Sequence, residues 1–285
     1  MSDETATATQ RPTRADRGLG LRAARPVFRR ELTTIRRSRA YLGLAGGFAV
    51  AVIGLTLLGG GVTVGYVPMI IDLLTYVEVL VPVVAFALGY RAVLDDRISG
   101  ELAVLRTFPL PRAAYVGGVV AARLCALVVL LTVPLALVGA IAFLRPEPAE
   151  YLFATTNGAD SPVLYVRFVS LTLLYGIVNL VGGIAVSATA RSVRTGVVVA
   201  VISVVTLSLG LDLLVLSGLA EGILGERTLA VALAFGPASA YRALVMTTVI
   251  GATTSGVTTI PPFFPTVALL AWAAVLLAVA IRRVW

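Results

Sequence analysis

The sequence predicts an all-α integral membrane protein with six transmembrane helices and both termini in the cytoplasm. Three observations carry that fold class. The 285 residues are 58% hydrophobic and 13% charged, against about 45–50% apolar and about 25% charged in a soluble domain. Six apolar stretches, near 40–60, 69–91, 116–144, 164–190, 196–217 and 264–281, approach the roughly 20 residues needed to cross the hydrocarbon layer. The arginines then fall very unequally on the two sides of those stretches, which sets orientation.

The chain opens with a polar tail, residues 1–17, rich in Thr and Ala and expected to be disordered. Residues 18–39 change pattern. Leu21, Ala24, Val27, Phe28, Leu32 and Ile35 line one helical face and arginines fill the other, the signature of an amphipathic interfacial helix bound to anionic membrane lipids. A basic arm can also bind nucleic acid, but the adjoining span makes lipid the expected partner. The pairs Arg29-Arg30 and Arg36-Arg37 belong to this helix rather than to a twin-arginine signal. The apolar run after them is too long for a signal-peptide core, and no small-residue cleavage site follows. Residues 40–285 form the six-span unit.

Ten arginines precede the first span. Arg91, Arg97, Arg106 and Arg112 follow the second, Arg191 and Arg194 the fourth, and Arg282 and Arg283 the last. Only Arg145, Arg227 and Arg242 lie in the opposite connections. The arginine-rich side is the cytoplasm, and the protein belongs in the cell membrane. Outside, residues 145–161 form a polar loop with proline and Asn157-Gly158 turn signals. The connection 218–263 is unusually apolar. Within it Pro237 stands at the first position of a short helix, PASAYRALVMTT, expected to dip into the membrane edge or to cap the outer end of a pathway.

The segment between the second and third spans, RAVLDDRISGELAVLRTFPLPRAAY, is polar yet carries its own apolar face. Ser99 is a candidate N-cap, and Glu101 suits the positive end of the helix dipole. Leu102, Leu105 and Phe108 recur at helical spacing, and Pro109 and Pro111 end the run. A loop that only joined two spans would not need a face to bury. This one reads as a docking element.

Ionisable groups at membrane depth are costly and each needs an account. Asp72 and Glu78 lie in the second span, Arg123 in the third, Arg167 in the fourth and Asp212 in the fifth. They are candidates either for a polar pathway or for interhelical ion pairs. Asp72 and Glu78 stand about 120° apart around their helix, so they do not form one paired carboxylate site.

Several chemistries are excluded by what the chain lacks. All 23 basic residues are arginine, so the lysine of a Walker A loop, G-x-x-x-x-G-K-[ST], does not exist here. With no histidine, one cysteine (Cys125) and three methionines, a soft-metal site within one subunit is not expected. No G-x-S-x-G elbow is present, and no histidine can activate a serine. No catalytic residue and no resident cofactor is assigned. No internal repeat is visible either, so an inverted-repeat transporter gains no support.

The segment DDRISGELAVLRTFPLPRAAYVGGVVAARL resembles the stretch in type-2 ABC transporter permeases that follows an acidic–x–x–x–Gly pattern through Leu and Pro to Arg. Asp96, Gly100, Leu105, Pro109 and Arg112 match it. The entry helix with Phe28-Arg29-Arg30-Glu31-Leu32, and the stretch Gly236-Pro237-Ala238-Ser239-Ala240-Tyr241-Arg242, are similar to the family's as well. The resemblance covers residues 24 to 285. It implies a permease subunit that pairs with a separate ATPase carrying ATP and Mg, two copies of each forming the complex. The segment from 91 to 112 would be the coupling helix, with Asp96, Ser99, Gly100, Glu101, Leu102, Leu105, Phe108, Pro109 and Arg112 as the coupling set.

Within the family the layout is most similar to the permease of nitrous-oxide-reductase maturation systems. That implies service to a copper–sulfur cofactor and an extracytoplasmic accessory protein. The sequence departs from the family at Gly117-Gly118, where a glycine–lysine step is frequent. Two other classes remain open at this point: a proton-coupled secondary transporter using Glu78 or Asp72, and a non-transporting membrane scaffold.

Overall fold

In a computed structural model, residues 14–59, 65–108, 110–144, 161–221, 236–251 and 261–285 are described. Their regular structure is helical throughout, with no strand among them. Helix α1 (Arg14–Arg37) is followed, after Ser38 alone, by α2 (Arg39–Gly59) and then α3 (Tyr66–Gly89). Two single-turn helices, α4 (Leu94–Ile98) and α5 (Glu101–Leu105), lead into α6 (Arg112–Phe143) and α7 (Pro162–Thr189). The fifth span is composite: α8 (Val193–Val205), a π-helical turn at Thr206–Gly210, and α9 (Leu211–Ala220). Last come α10 (Pro237–Val245), a second π-helical turn (Met246–Ile250) and α11 (Phe263–Arg283).

Six of these runs are long and apolar enough to cross a membrane, as the composition predicts. Helix α6 spans 32 residues, about 48 Å at helical rise, so it extends well past an apolar layer of about 30 Å. Its start at Arg112 is earlier than the expected 116. Pro111 sits in extended backbone as the N-cap and lets the helix begin at once. Helix α1 likewise begins at Arg14, inside the stretch expected to be a disordered tail. Residues 1–13, Pro109, the outer loop 145–160 with Arg145, and Arg227 lie outside the described residues.

Helix α7 is the hub. It packs against α3, α6, α10 and α11, and most of its residues are buried. Its crossing with α3 is close because Gly89 and Gly183 face each other: a Cβ on Gly89 would lie 3.0 Å from the Gly183 Cα. Small residues at a helix crossing let the backbones approach where lipid supplies no hydrophobic drive. The α8–α9 run is the opposite case, with 11% of its span buried.

Helix α1 corrects an expectation. Its apolar stripe, expected to face lipid, packs along α6, with Val27 and Ile35 buried and Phe28 and Leu32 partly so. The contact is tight at Gly118, where a Cβ would stand 2.8 Å from the Ala24 carbonyl oxygen. The family's frequent lysine near this step has no room at position 118. Helix α10 is also deeper than a loop helix. Ala238, Ala240, Tyr241, Leu244 and Val245 are buried against α7 and α11.

Candidate functional site

The polar segment after α3 is built from two turns of helix, not the single helix expected. Helix α4 is five residues long and its first amides are held from α7: the Ser187 hydroxyl accepts from the backbone N–H of Val93 at 2.8 Å and of Leu94 at 2.9 Å. Gly100, at φ 82°, then turns the chain in the left-handed region that favours glycine. Ser99 therefore ends α4 rather than capping α5. Gly100 takes the cap position, and the Ser99 hydroxyl accepts the Glu101 amide from one residue further out, at 3.5 Å. Glu101 does occupy the first turn.

The apolar residues of the segment separate onto two faces. Leu102 is buried and Leu105 partly so against the main core. Phe108 does not share that face, because α5 stops at Leu105. It stands 61% exposed, in company with Val104 at 60% and Ile98 at 53%. Arg112 is exposed at the first position of α6.

Two arginines fasten the segment to the bundle. From α1, the Arg30 guanidinium donates to Glu101 at 2.6 Å, to Glu31 at 3.1 Å and to Asp96. Burial works to lower its pKa, but the hydrogen bond to Asp96 and the attraction of Asp96, Glu31 and Glu101 outweigh it, so the pKa is raised. The Tyr115 hydroxyl donates to the same Asp96 carboxylate at 2.7 Å, and its ring lies 5.6 Å from that of Trp285. Arg97 faces the other way. It donates to the carbonyls of Ala190, of Ala188 at 2.8 Å, of Arg283 at 3.2 Å and of Val284 at 3.3 Å. It thereby ties α4 to the C-terminal ends of both α7 and α11, where carbonyls lack helical partners.

Beneath this lies Glu31, 5% exposed, paired with Arg123 of α6 at 3.3 Å. Arg123 also donates to the Leu88 carbonyl at the end of α3. Arg123 is thus an ion-pair residue that joins α1, α3 and α6.

A second charged cluster sits within the bundle. Arg242 of α10 makes a two-pronged contact with Glu78, its Nε at 3.1 Å from Oε2, and reaches Asp212 at 3.5 Å. The Ser239 hydroxyl donates to Asp212. Glu78 is twelve residues into α3, about 18 Å along the helix and so near mid-membrane. Beside it the rings of Tyr175 and Tyr241 stack at 4.7 Å and 6°. The Tyr175 hydroxyl donates to the Glu78 carbonyl at 3.2 Å, and Tyr241 shares a 2.9 Å hydrogen bond with Thr172.

The five intramembrane charges therefore do not converge. Glu78 and Asp212 meet through Arg242, Arg123 belongs to the α1 contact, and Arg167 donates to the Thr248 carbonyl. Asp72 is exposed and makes no ion pair among the described residues. Arg30, Glu31, Tyr115, Ser187 and Arg242 are positioning residues to which the sequence reading gave no role. For Glu31 the signal was present: Val27, Glu31 and Ile35 are four apart, so a carboxylate lies on the apolar stripe itself.

The described residues thus form an all-helical bundle with six runs long and apolar enough to cross a membrane and a polar two-turn element between the second and third. The family model for ABC-2 family transporter proteins matches residues 25–284. The chain belongs to that family, and membership implies an ABC ATPase as its partner. No curated protein matches it.

Proposed function

We propose that this chain is the permease half of an ATP-driven complex and that residues 94–108 seat it on the ATPase. Two copies of each subunit form the working unit, with the arginine-rich end in the cytoplasm of the cell membrane. The observation that carries this reading is the exposed apolar set Ile98, Val104 and Phe108 on a segment anchored at two points, by Arg30 and by Arg97. A push on that face reaches α1 through Arg30, and α7 and α11 through Arg97. The second copy is offered the α8–α9 run, whose residues Val198, Val201 and Ile202 are exposed.

Nucleotide-driven closure of the ATPases then drives export or transmits force across the membrane. The layout resemblance supports a finer proposal, a role in copper–sulfur cofactor maturation of nitrous oxide reductase with an accessory protein on the far side. A sulfur species is the fitting cargo for a chain so poor in soft ligands. The test is co-expression with the ABC ATPase encoded nearest the gene. In a Cys125→Ser background, Val104→Cys should cross-link to that ATPase, with a yield that changes when ATP is added. A subunit that never co-purifies, or a cross-link indifferent to nucleotide, would overturn the assignment.

A further inference from the structure

Beside the Arg97 anchor is a cavity of about 650 Å³, lined by Arg97, Arg191, Arg282, Arg283, Trp285 and the end of α7. The volume falls within the roughly 300–1,000 Å³ common for small-ligand sites. Four arginines line it and no Asp or Glu side chain does. The dipole of α11 favours Arg282 and Arg283 in its last turn but gives them no hydrogen-bond acceptor among the described residues. The carbonyls that would receive these cations, at Ala188, Ala190, Arg283 and Val284, are already taken by Arg97. Arg191, Arg282 and Arg283 make no ion pair among the described residues. Like charges gathered in one concavity repel unless an anion stands among them.

We infer that this cavity binds a phosphate-bearing anion, held by the guanidinium groups of Arg191, Arg282 and Arg283. Guanidinium forks match phosphate oxygens in two-pronged geometry. The cavity lies where α7 and α11 end, the level of lipid headgroups, and Trp285 is the residue type that favours that layer. A lipid headgroup and free phosphate share the chemistry, and both reach this position.

The experiment uses the full chain in nanodiscs of phosphatidylcholine doped with phosphatidylglycerol, with retained lipid counted by native mass spectrometry. A parallel detergent sample is titrated with inorganic phosphate and followed by thermal shift. The variant is Arg191→Gln with Arg282→Gln, leaving Arg97 intact. The control, Arg106→Gln with Arg194→Gln, removes two exposed charges from the same arginine-rich end that do not line the cavity. The pocket variant should retain phosphatidylglycerol roughly thirtyfold less well, with the control near wild type and the paired lysine variants partly restored. Protection of the wild type by inorganic phosphate, lost in the pocket variant, identifies the free ion as ligand.

Equal loss in pocket variant and control, or no preference for either anion, overturns the site. So does a pocket variant that keeps its lipid but releases the ATPase, which would assign the arginines to the protein partner. Gel filtration reports folding, and if the double variant aggregates, Arg191→Gln alone carries the comparison.

Discussion

Two clusters in this molecule use the same parts, one arginine and at least two carboxylates, to opposite ends. Around Arg30, the carboxylates of Glu31, Asp96 and Glu101 come from α1, α4 and α5, and Glu101 remains 57% exposed. Around Arg242, itself 46% exposed, Glu78 and Asp212 come from two spans with side chains 12% and 22% exposed. The first cluster orders a polar element while its outward apolar residues stay uncovered. The second closes three helices on one another. In each cluster the exposed contact, Glu101 in the first, contributes little and is screened, whereas the buried carboxylates, Glu31 and Asp96 in the first and Glu78 in the second, are costly to leave unpaired. On the proposed docking role, the difference separates a mount for a partner from an internal staple.

Breaking the staple should produce the largest effect. Arg242→Gln leaves Glu78 and Asp212 without their cation near mid-membrane, and should cost about 3–5 kcal/mol in a reversible unfolding titration. Replacing Glu78 and Arg242 together by Leu and Met should recover most of that loss. If Arg242→Gln is as stable as wild type, the triad is not a staple. Glu78→Gln bears on the proton-coupled alternative: with Glu78 committed to Arg242, ATP-driven activity should persist when the pH gradient is collapsed.

The mount has a buried root, and breaking it comes next. Glu31→Gln leaves Arg123, whose side chain is 14% exposed, without its carboxylate. A loss of about 2–3 kcal/mol should follow, less than for Arg242 because Arg123 keeps the Leu88 carbonyl. Limited proteolysis should then cut near Arg25 faster, since α1 is held to α6 partly through this pair. Unchanged cleavage would mean that the packing at Val27, Ile35 and Gly118 suffices.

The spans were legible because burial in lipid leaves a compositional mark; their starts at Pro111, Ser161 and Ser192 are shown by the structure. The geometry of the segment after α3 was legible in part. Asp96 and Glu101 do meet a cation, but Arg30 lies 66 and 71 residues away, and no local spacing encodes that. Phe108 was read onto the Leu102–Leu105 face because a periodic pattern does not reveal where a one-turn helix stops. Arg242 looked like a loop arginine because the depth of α10 is set by its packing on α7 and α11, a tertiary fact. The π-helical turns at Thr206–Gly210 and Met246–Ile250 left no sequence signal that periodicity could register.

The smallest effect on stability should come from Phe108→Ala, and it separates the two clusters most cleanly. Phe108 lies beyond α5, is 61% exposed, and is absent from both ion networks, so its loss should shift unfolding by less than about 0.5 kcal/mol. The same substitution should weaken capture of the ATPase, because a large apolar side chain left in water on an anchored element gains only when a partner covers it. Arg242→Gln predicts the reverse pattern, a weakened bundle whose outward face is intact. Stable protein with normal ATPase capture in Phe108→Ala would remove the docking face, and with it the reason for two arginines to hold that segment still.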